Sequence, residues 1–179
     1  NGYGILAEAN NLTIGGSSFA DMNIISGSSI HGIEFQGGDN LVIAGNYIGT
    51  DITGVNAIAN AQRGINIYDN GLGVNDATIG GMTVASRNII SANSQGGISV
   101  DSAVNTLIQN NYVGLNVHGN ALGNGNFGLL IQGTTSGVKL QNNVVSGNIG
   151  PGVVISDGSN ISIEGNLIGT SPDGLSARP

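Results

Sequence analysis

A glycine followed by an apolar residue, and in five cases by a second one two places on, returns six times along this chain: Gly4-Ile5-Leu6, Gly32-Ile33-Glu34-Phe35, Gly64-Ile65-Asn66-Ile67, Gly97-Ile98-Ser99-Val100, Gly128-Leu129-Leu130-Ile131 and Gly152-Val153-Val154-Ile155. The starts lie 28, 32, 33, 31 and 24 residues apart. Self-similarity at such a period restricts the fold more than any single motif does. One repeat cannot bury its own apolar side, so neighbouring repeats must stack. Two further segments follow each phrase. The second alternates apolar residues, at Leu12/Ile14, Leu41/Ile43, Ala77/Ile79, Thr106/Ile108, Val138/Leu140 and Ile161/Ile163. The third opens on asparagine, at Asn23-Ile24-Ile25, Asn46-Tyr47-Ile48, Asn88-Ile89-Ile90, Asn111-Tyr112-Val113, Asn143-Val144-Val145 and Asn166-Leu167-Ile168. Short runs with a period of two, punctuated by Gly and Asn, read as strands, and no stretch sustains a helical period.

Three short strands per period, repeated six times, predict an all-β chain, a right-handed parallel β-helix (solenoid) of about six coils. Coils spaced about 4.8 Å apart make a rod of roughly 30 Å. The pleat turns Ile33, Ile65, Ile98, Leu129 and Val153 inward in one stack, and Ile14, Ile43, Ile79, Ile108, Leu140 and Ile163 in another. The asparagine opening each third strand is expected to form an internal ladder, its amide bonding to the coils on either side. A longer period is superposed. Coils one and three share Thr-Ile-Gly-Gly, at Thr13–Gly16 and Thr78–Gly81. Coils two, four and six instead carry a long loop after the third strand, starting at Gly49, Gly114 and Gly169. The unit is therefore a pair of coils, dividing a single domain of residues 1–179 at about 1–60, 61–124 and 125–179. Both termini fall in this loop, as in a piece of a longer array, and open terminal coils predict end-to-end self-association.

Charge narrows the functional classes. Four Lys and Arg stand against eleven Asp and Glu, a net charge of −7, so the clustered cations that nucleic acid requires are missing. Hydrophobic residues, at 39%, are too many for a disordered glycine-rich tract. No run approaches the roughly 20 apolar residues of a membrane span. The chain has no Cys, which excludes disulfides and thiolate metal sites and fits any compartment.

Carboxylates come nearest to a catalytic signal. Asp69, Asp101 and Asp157 follow the first strand in coils three, four and six. Stacking would bring Asp69 and Asp101 to roughly 5 Å, the separation of a retaining glycosidase pair. Asp at the start of a turn also caps its own backbone, and that is the preferred reading. No catalytic residue or metal ligand is assigned, with Asp69 and Asp101 the candidates for either role. Ca²⁺ is the one cofactor considered, and it would need six or more oxygen ligands. Arg63, Arg87, Lys139 and Arg178 share no strand position, against a lyase that neutralises a sugar carboxylate. His31 and His118 are expected to be solvated loop residues. The middle residue of the third strand is expected to face outward, giving a row of Ile24, Tyr47, Ile89, Tyr112, Val144 and Leu167. Tyr47 and Tyr112, two coils or about 10 Å apart, are its candidate binding residues unless the long loops fold back over them. A regular Thr or Asn face of the kind that binds ice is not present on the first or second strand.

The segment Asn46-Tyr47-Ile48-Gly49-Thr50-Asp51-Ile52-Thr53-Gly54, with the repeats around it, resembles the right-handed parallel β-helix repeats of large bacterial extracellular and surface proteins. The resemblance covers essentially the whole chain. It implies an extracellular or cell-surface, non-catalytic stalk or adhesin, with carbohydrate or a surface protein as partner. The same superfold also hosts pectate lyases, polygalacturonases, alginate epimerases and phage tailspikes. A polysaccharide-degrading or -modifying enzyme is thus the alternative.

Overall fold

A computed structural model describes residues 1–179. The three recurring segments become three parallel sheets of six strands, each running through the coils in order from one to six. Sheet A collects the first strands: Ile5–Ala7, Ile33–Phe35, Arg63–Tyr68, Gly96–Asp101, Phe127–Gln132 and Val153–Ile155. Sheet B collects Thr13–Gly15, Val42–Ala44, Thr78–Gly80, Leu107–Gln109, Lys139–Gln141 and Ser162–Glu164. Sheet C holds the two-residue strands Ile24–Ile25, Tyr47–Ile48, Ile89–Ile90, Tyr112–Val113, Val144–Val145 and Leu167–Ile168. A short extra pair, Gly38–Asp39 with Val74–Asn75, lies at one corner. The fold is the right-handed parallel β-helix of about six coils that the periodicity implies, and no helix is long and apolar enough to cross a membrane.

Register confirms the inward stacks. Ile33, Ile65, Ile98, Leu129 and Val153 follow one another across sheet A. Ile14, Ile43, Ile79, Ile108, Leu140 and Ile163 do so across sheet B. In the middle coils these side chains have no exposed area, and one apolar cluster runs the length of the rod. The corners turn on residues with positive φ, among them Asn11, Asn40, Asp76, Asn105, Asn142 and Asn160, side chains that tolerate the left-handed region.

Two ladders of asparagine line the interior. In the first, the Nδ2 of Asn23, Asn46, Asn88, Asn111 and Asn143 each donates to the Oδ1 of the next coil's asparagine, at 2.9–3.2 Å and ending on Asn166. From Asn46 onward each of these amides also bonds backbone: Oδ1 accepts the N–H of the preceding asparagine, and Nδ2 donates to a sheet B carbonyl such as Ile79 O at 2.9 Å. The second ladder, Asn60, Asn93, Asn124 and Asn148, repeats the pattern between sheets C and A, with amide–amide distances of 2.8–2.9 Å. Asn46, Asn88, Asn93, Asn111 and Asn124 are completely buried, yet every one of their amide groups is satisfied. A buried polar group is tolerated on that condition alone.

Candidate functional site

The long loops of coils two, four and six are closed by antiparallel bridges at Thr50↔Ala57, Leu115↔Ala121 and Thr170↔Ala177. An acceptor at the second position holds each together. Asp51 accepts from Thr53 Oγ1 at 2.6 Å and from Asn56 Nδ2 at 2.8 Å, and these bonds hold its carboxyl well below the usual carboxylate range. Asn116 takes the same place in coil four, accepting the N–H of His118 and of Asn120, both at 3.0 Å. In coil six the pair is Ser171 and Asp173, with Ser171 donating to the Asp173 carboxylate. The loops lean on one another, Val117 N–H donating to Gly54 O at 3.1 Å. On the other flank of sheet C stand the turns of coils one and three. The first is a 3-10 turn, Phe19–Asp21, capped by Ser18 and Asp21. The second is locked by Thr83 and Ser86.

Sheet C is thus the floor of a groove between two rows of loops. A cavity of about 50 Å³ opens in it, lined mainly by Phe19, Met22, Tyr47, Val84, Ile89 and Val117. That volume accepts the tip of an apolar side chain or a few waters, not a sugar ring. Phe19 and Val84, which line it, stand 67% and 65% exposed, so this flank of the groove carries apolar surface.

The outward row predicted on this floor is only partly open. Ile24 is exposed, Tyr47, Tyr112 and Leu167 are half-buried, and Ile89 and Val144 are buried. The register is as expected, with Ile89 between Tyr47 and Tyr112. Gly54 packs onto the Tyr47 ring, and burial raises the Tyr47 phenol. The Arg87 guanidinium lies 4.1 Å from the centre of the Tyr112 ring and is anchored to Asn110 at 2.7 Å. Neighbouring turns therefore reach over the row, and one edge of each tyrosine stays in solvent.

Asp69 and Asp157 take up capping positions, and Asp101 bonds side chains instead. Asp69 Oδ1 accepts the amides of Gly71 and Gly73, both at 2.8 Å, and Asp157 Oδ1 accepts Gly158 N–H at 2.7 Å. Asp101 bonds Ser102 Oγ at 2.8 Å and Gln132 Nε2 at 2.7 Å. Sheet A aligns Asp101 with Tyr68, so Asp69 lies one residue out of register with Asp101 while its N–H donates to Asp101 O at 3.3 Å. No group of three His, Asp or Glu side chains that could hold a metal ion gathers anywhere.

A second cluster escaped the sequence. On the outer face of sheet A, Leu6, Glu34, Asn66, Ser99, Leu130 and Val154 form one row. The residue just before each phrase glycine forms another: Tyr3, His31, Arg63, Gly96, Phe127 and Pro151. His31 is only 7% exposed, which corrects the expectation of a solvated loop residue. Its Nδ1 accepts Arg63 N–H at 3.1 Å, which places the ring proton on Nε2, 3.6 Å from Glu34 Oε2. Glu34 is itself 5% exposed and accepts from Asn66 Nδ2 at 2.7 Å, while Arg63 Nη1 donates to Asn66 Oδ1 at 2.6 Å. Gly96 leaves room for the Phe127 ring, which lies 6.0 Å from the Arg63 guanidinium carbon. Ser99 Oγ and Arg63 Nε are buried without partners.

Burial holds His31 below its ordinary pKa, with Arg63 adding to the effect and Glu34 opposing it. Above about pH 6.5 the ring is neutral in the folded and the unfolded chain alike. Below that the unfolded chain takes up the proton first, so stability falls as pH drops from 6.5 toward the folded value. Urea unfolding at pH 7.5 and 5.5 should show this loss in the native protein and a smaller one in His31→Gln.

Three stacked parallel sheets around two amide ladders define a β-solenoid. The match to the family model described as the right-handed beta helix region extends over residues 3–177, and the chain belongs to that family. Neither a curated protein nor a solved structure matches the chain.

Proposed function

We propose that the chain is a non-catalytic β-helix module of an extracellular or cell-surface protein, a stalk or adhesive segment that holds carbohydrate or a partner protein along the outer face of sheet C. The supporting observation is the groove itself, with half-buried Tyr47 and Tyr112 in its sheet C floor and exposed Phe19 and Val84 on one flank. Its rings stand on a frame stiffened by two satisfied ladders, so the binding surface costs little ordering when a ligand arrives. Glycan-array and cell-surface binding by the native protein and by Tyr47→Ala/Tyr112→Ala test the reading. Each ring contributes on the order of 1 kcal/mol, so the double variant should bind about tenfold or more weakly, with an unchanged circular dichroism spectrum. Equal binding by both proteins sinks the proposal.

The second reading, a carbohydrate-active enzyme, is favoured by one observation: the buried Glu34 carboxylate beside a neutral His31 and within the field of Arg63. A carboxylate so placed is a reasonable proton acceptor or donor. Turnover of pectin, alginate or a related polymer, lost in Glu34→Gln while folding is retained, would establish it in place of the stalk.

A further inference from the structure

We infer that Asn124 is a latent deamidation site, shielded while the chain is folded and reactive once it unfolds, and that its conversion prevents return to the native state. Among the ladder asparagines, Asn124 alone is followed by glycine; Asn60, Asn93 and Asn148 precede Ala61, Ser94 and Ile149, and the first ladder's members precede Ile24, Tyr47, Ile89, Tyr112, Val144 and Leu167. Glycine has no side chain to obstruct its own backbone nitrogen. In the unfolded chain the Gly125 nitrogen loses its proton to hydroxide and attacks Asn124 Cγ. The new C–N bond closes a succinimide, the Cγ–Nδ2 bond breaks and ammonia departs. One water then opens the ring to aspartate or isoaspartate. The sum is amide plus water giving acid plus ammonia, with no change of oxidation state.

The folded structure blocks each requirement. Asn124 has no exposed area. Its Nδ2 donates to Ile90 O and to Asn148 Oδ1, both at 2.9 Å. Its Oδ1 accepts Asn93 N–H at 3.0 Å and Asn93 Nδ2 at 2.9 Å, so the side-chain amide has no freedom to rotate toward the next residue. The attacking nitrogen is held as well, Gly125 N–H donating to Asn93 O at 2.9 Å.

The dipeptide is also fixed from both sides. A Cβ on residue 125 would lie 1.9 Å from Ser94 O, so the backbone approach demands glycine. The ladder demands asparagine at 124. After conversion, an oxygen stands where Nδ2 stood and faces Ile90 O and Asn148 Oδ1, two acceptors with no proton between. A buried carboxylate in that place is disfavoured, and the isoaspartate isomer also adds a backbone atom. Unfolding for long enough therefore becomes irreversible by chemistry, apart from any aggregation.

Peptide mapping by mass spectrometry tests this on the full chain. One sample is kept native and one in urea, both in mildly alkaline buffer, and each is mapped over time and again after removal of urea. In urea, Asn124 should convert about as fast as Asn70, which precedes Gly71, and well ahead of Asn60, Asn93 and Asn148. In the native sample conversion at Asn124 should be slower by about a thousandfold or more, since it waits on the rare unfolded chain. The refolded fraction should contain unconverted Asn124 alone, and directly made Asn124→Asp should not fold at neutral pH. Native conversion within tenfold of the urea rate overturns the shielding. Converted chains recovered in the folded fraction, or an Asn124→Asp protein as stable as the native one, overturn the irreversibility.

Discussion

Asn111→Asp is expected to destabilise the chain strongly at neutral pH and to recover part of its stability in acid. One aspartate oxygen keeps the bonds that Asn111 Oδ1 now accepts from Asn88. The other replaces Nδ2 and meets Ile79 O and Asn143 Oδ1, both acceptors, at the 2.9–3.0 Å that an N–H now bridges. Turning the group over does not help, because the backbone N–H of Asn88 requires an acceptor on its own side. The site has no exposed area, so the ionised carboxylate is neither hydrated nor paired. The loss is about 3–5 kcal/mol, a large fraction of the roughly 5–15 kcal/mol by which native proteins are stable. Burial and the two acceptors raise the folded-state pKa above the unfolded value of about 3.9. For an acid with a raised folded pKa, the penalty is smallest below the unfolded pKa and grows as pH rises toward the folded one. Urea melts at several pH values should show Asn111→Asp approaching the native protein only in acid. A pH-independent difference would mean that the ladder matters for packing and not for its proton arrangement.

The second large effect is expected at Gly80. Its φ is +96°, outside what L side chains readily adopt, and a Cβ there would lie 1.9 Å from Gln109 O and 2.8 Å from the Asn111 amide. Gly80→Ala combines about 1–2 kcal/mol of backbone strain with about 1–3 kcal/mol of overpacking, a total of about 2–5 kcal/mol. Gly71 offers the control, since its φ is +102° and nothing lies within 4 Å of a Cβ built there. Gly71→Ala should carry the strain alone, about 1–2 kcal/mol. Equal shifts in the urea midpoint for the two variants would remove the steric part of the argument.

Which features were legible depended on whether a residue answers to its own coil or to its neighbours. The phrase glycines and the period-two apolar pairs respond to the interior alone, and they gave the coils, the three sheets and both inward stacks. The first ladder was visible because its asparagine opens a strand in every coil. The second was equally regular, each asparagine standing four residues before a phrase glycine, as in Asn60 to Gly64 and Asn124 to Gly128. It lay hidden among the many turn asparagines, and only that fixed offset sets it apart. Outer faces were harder. Exposure of the sheet C row depends on loops from other coils, which is how Ile89 became buried while Tyr47 kept an edge in solvent. His31 read as a turn residue because its neighbours Tyr3, Glu34 and Arg63 come from three coils. Asp69 missed Asp101 by one residue, a register detail that alternation alone does not resolve.

The ladders also give the rod an electrical direction. In both of them every amide–amide bond runs from Nδ2 to the Oδ1 of the later coil. Amide dipoles aligned head to tail add and polarise one another, as peptide units do along an α-helix. Strand dipoles within a sheet contribute little along this axis. The side chains therefore make the coil-six end the positive pole and the coil-one end the negative one, an axial asymmetry independent of the acidic surface.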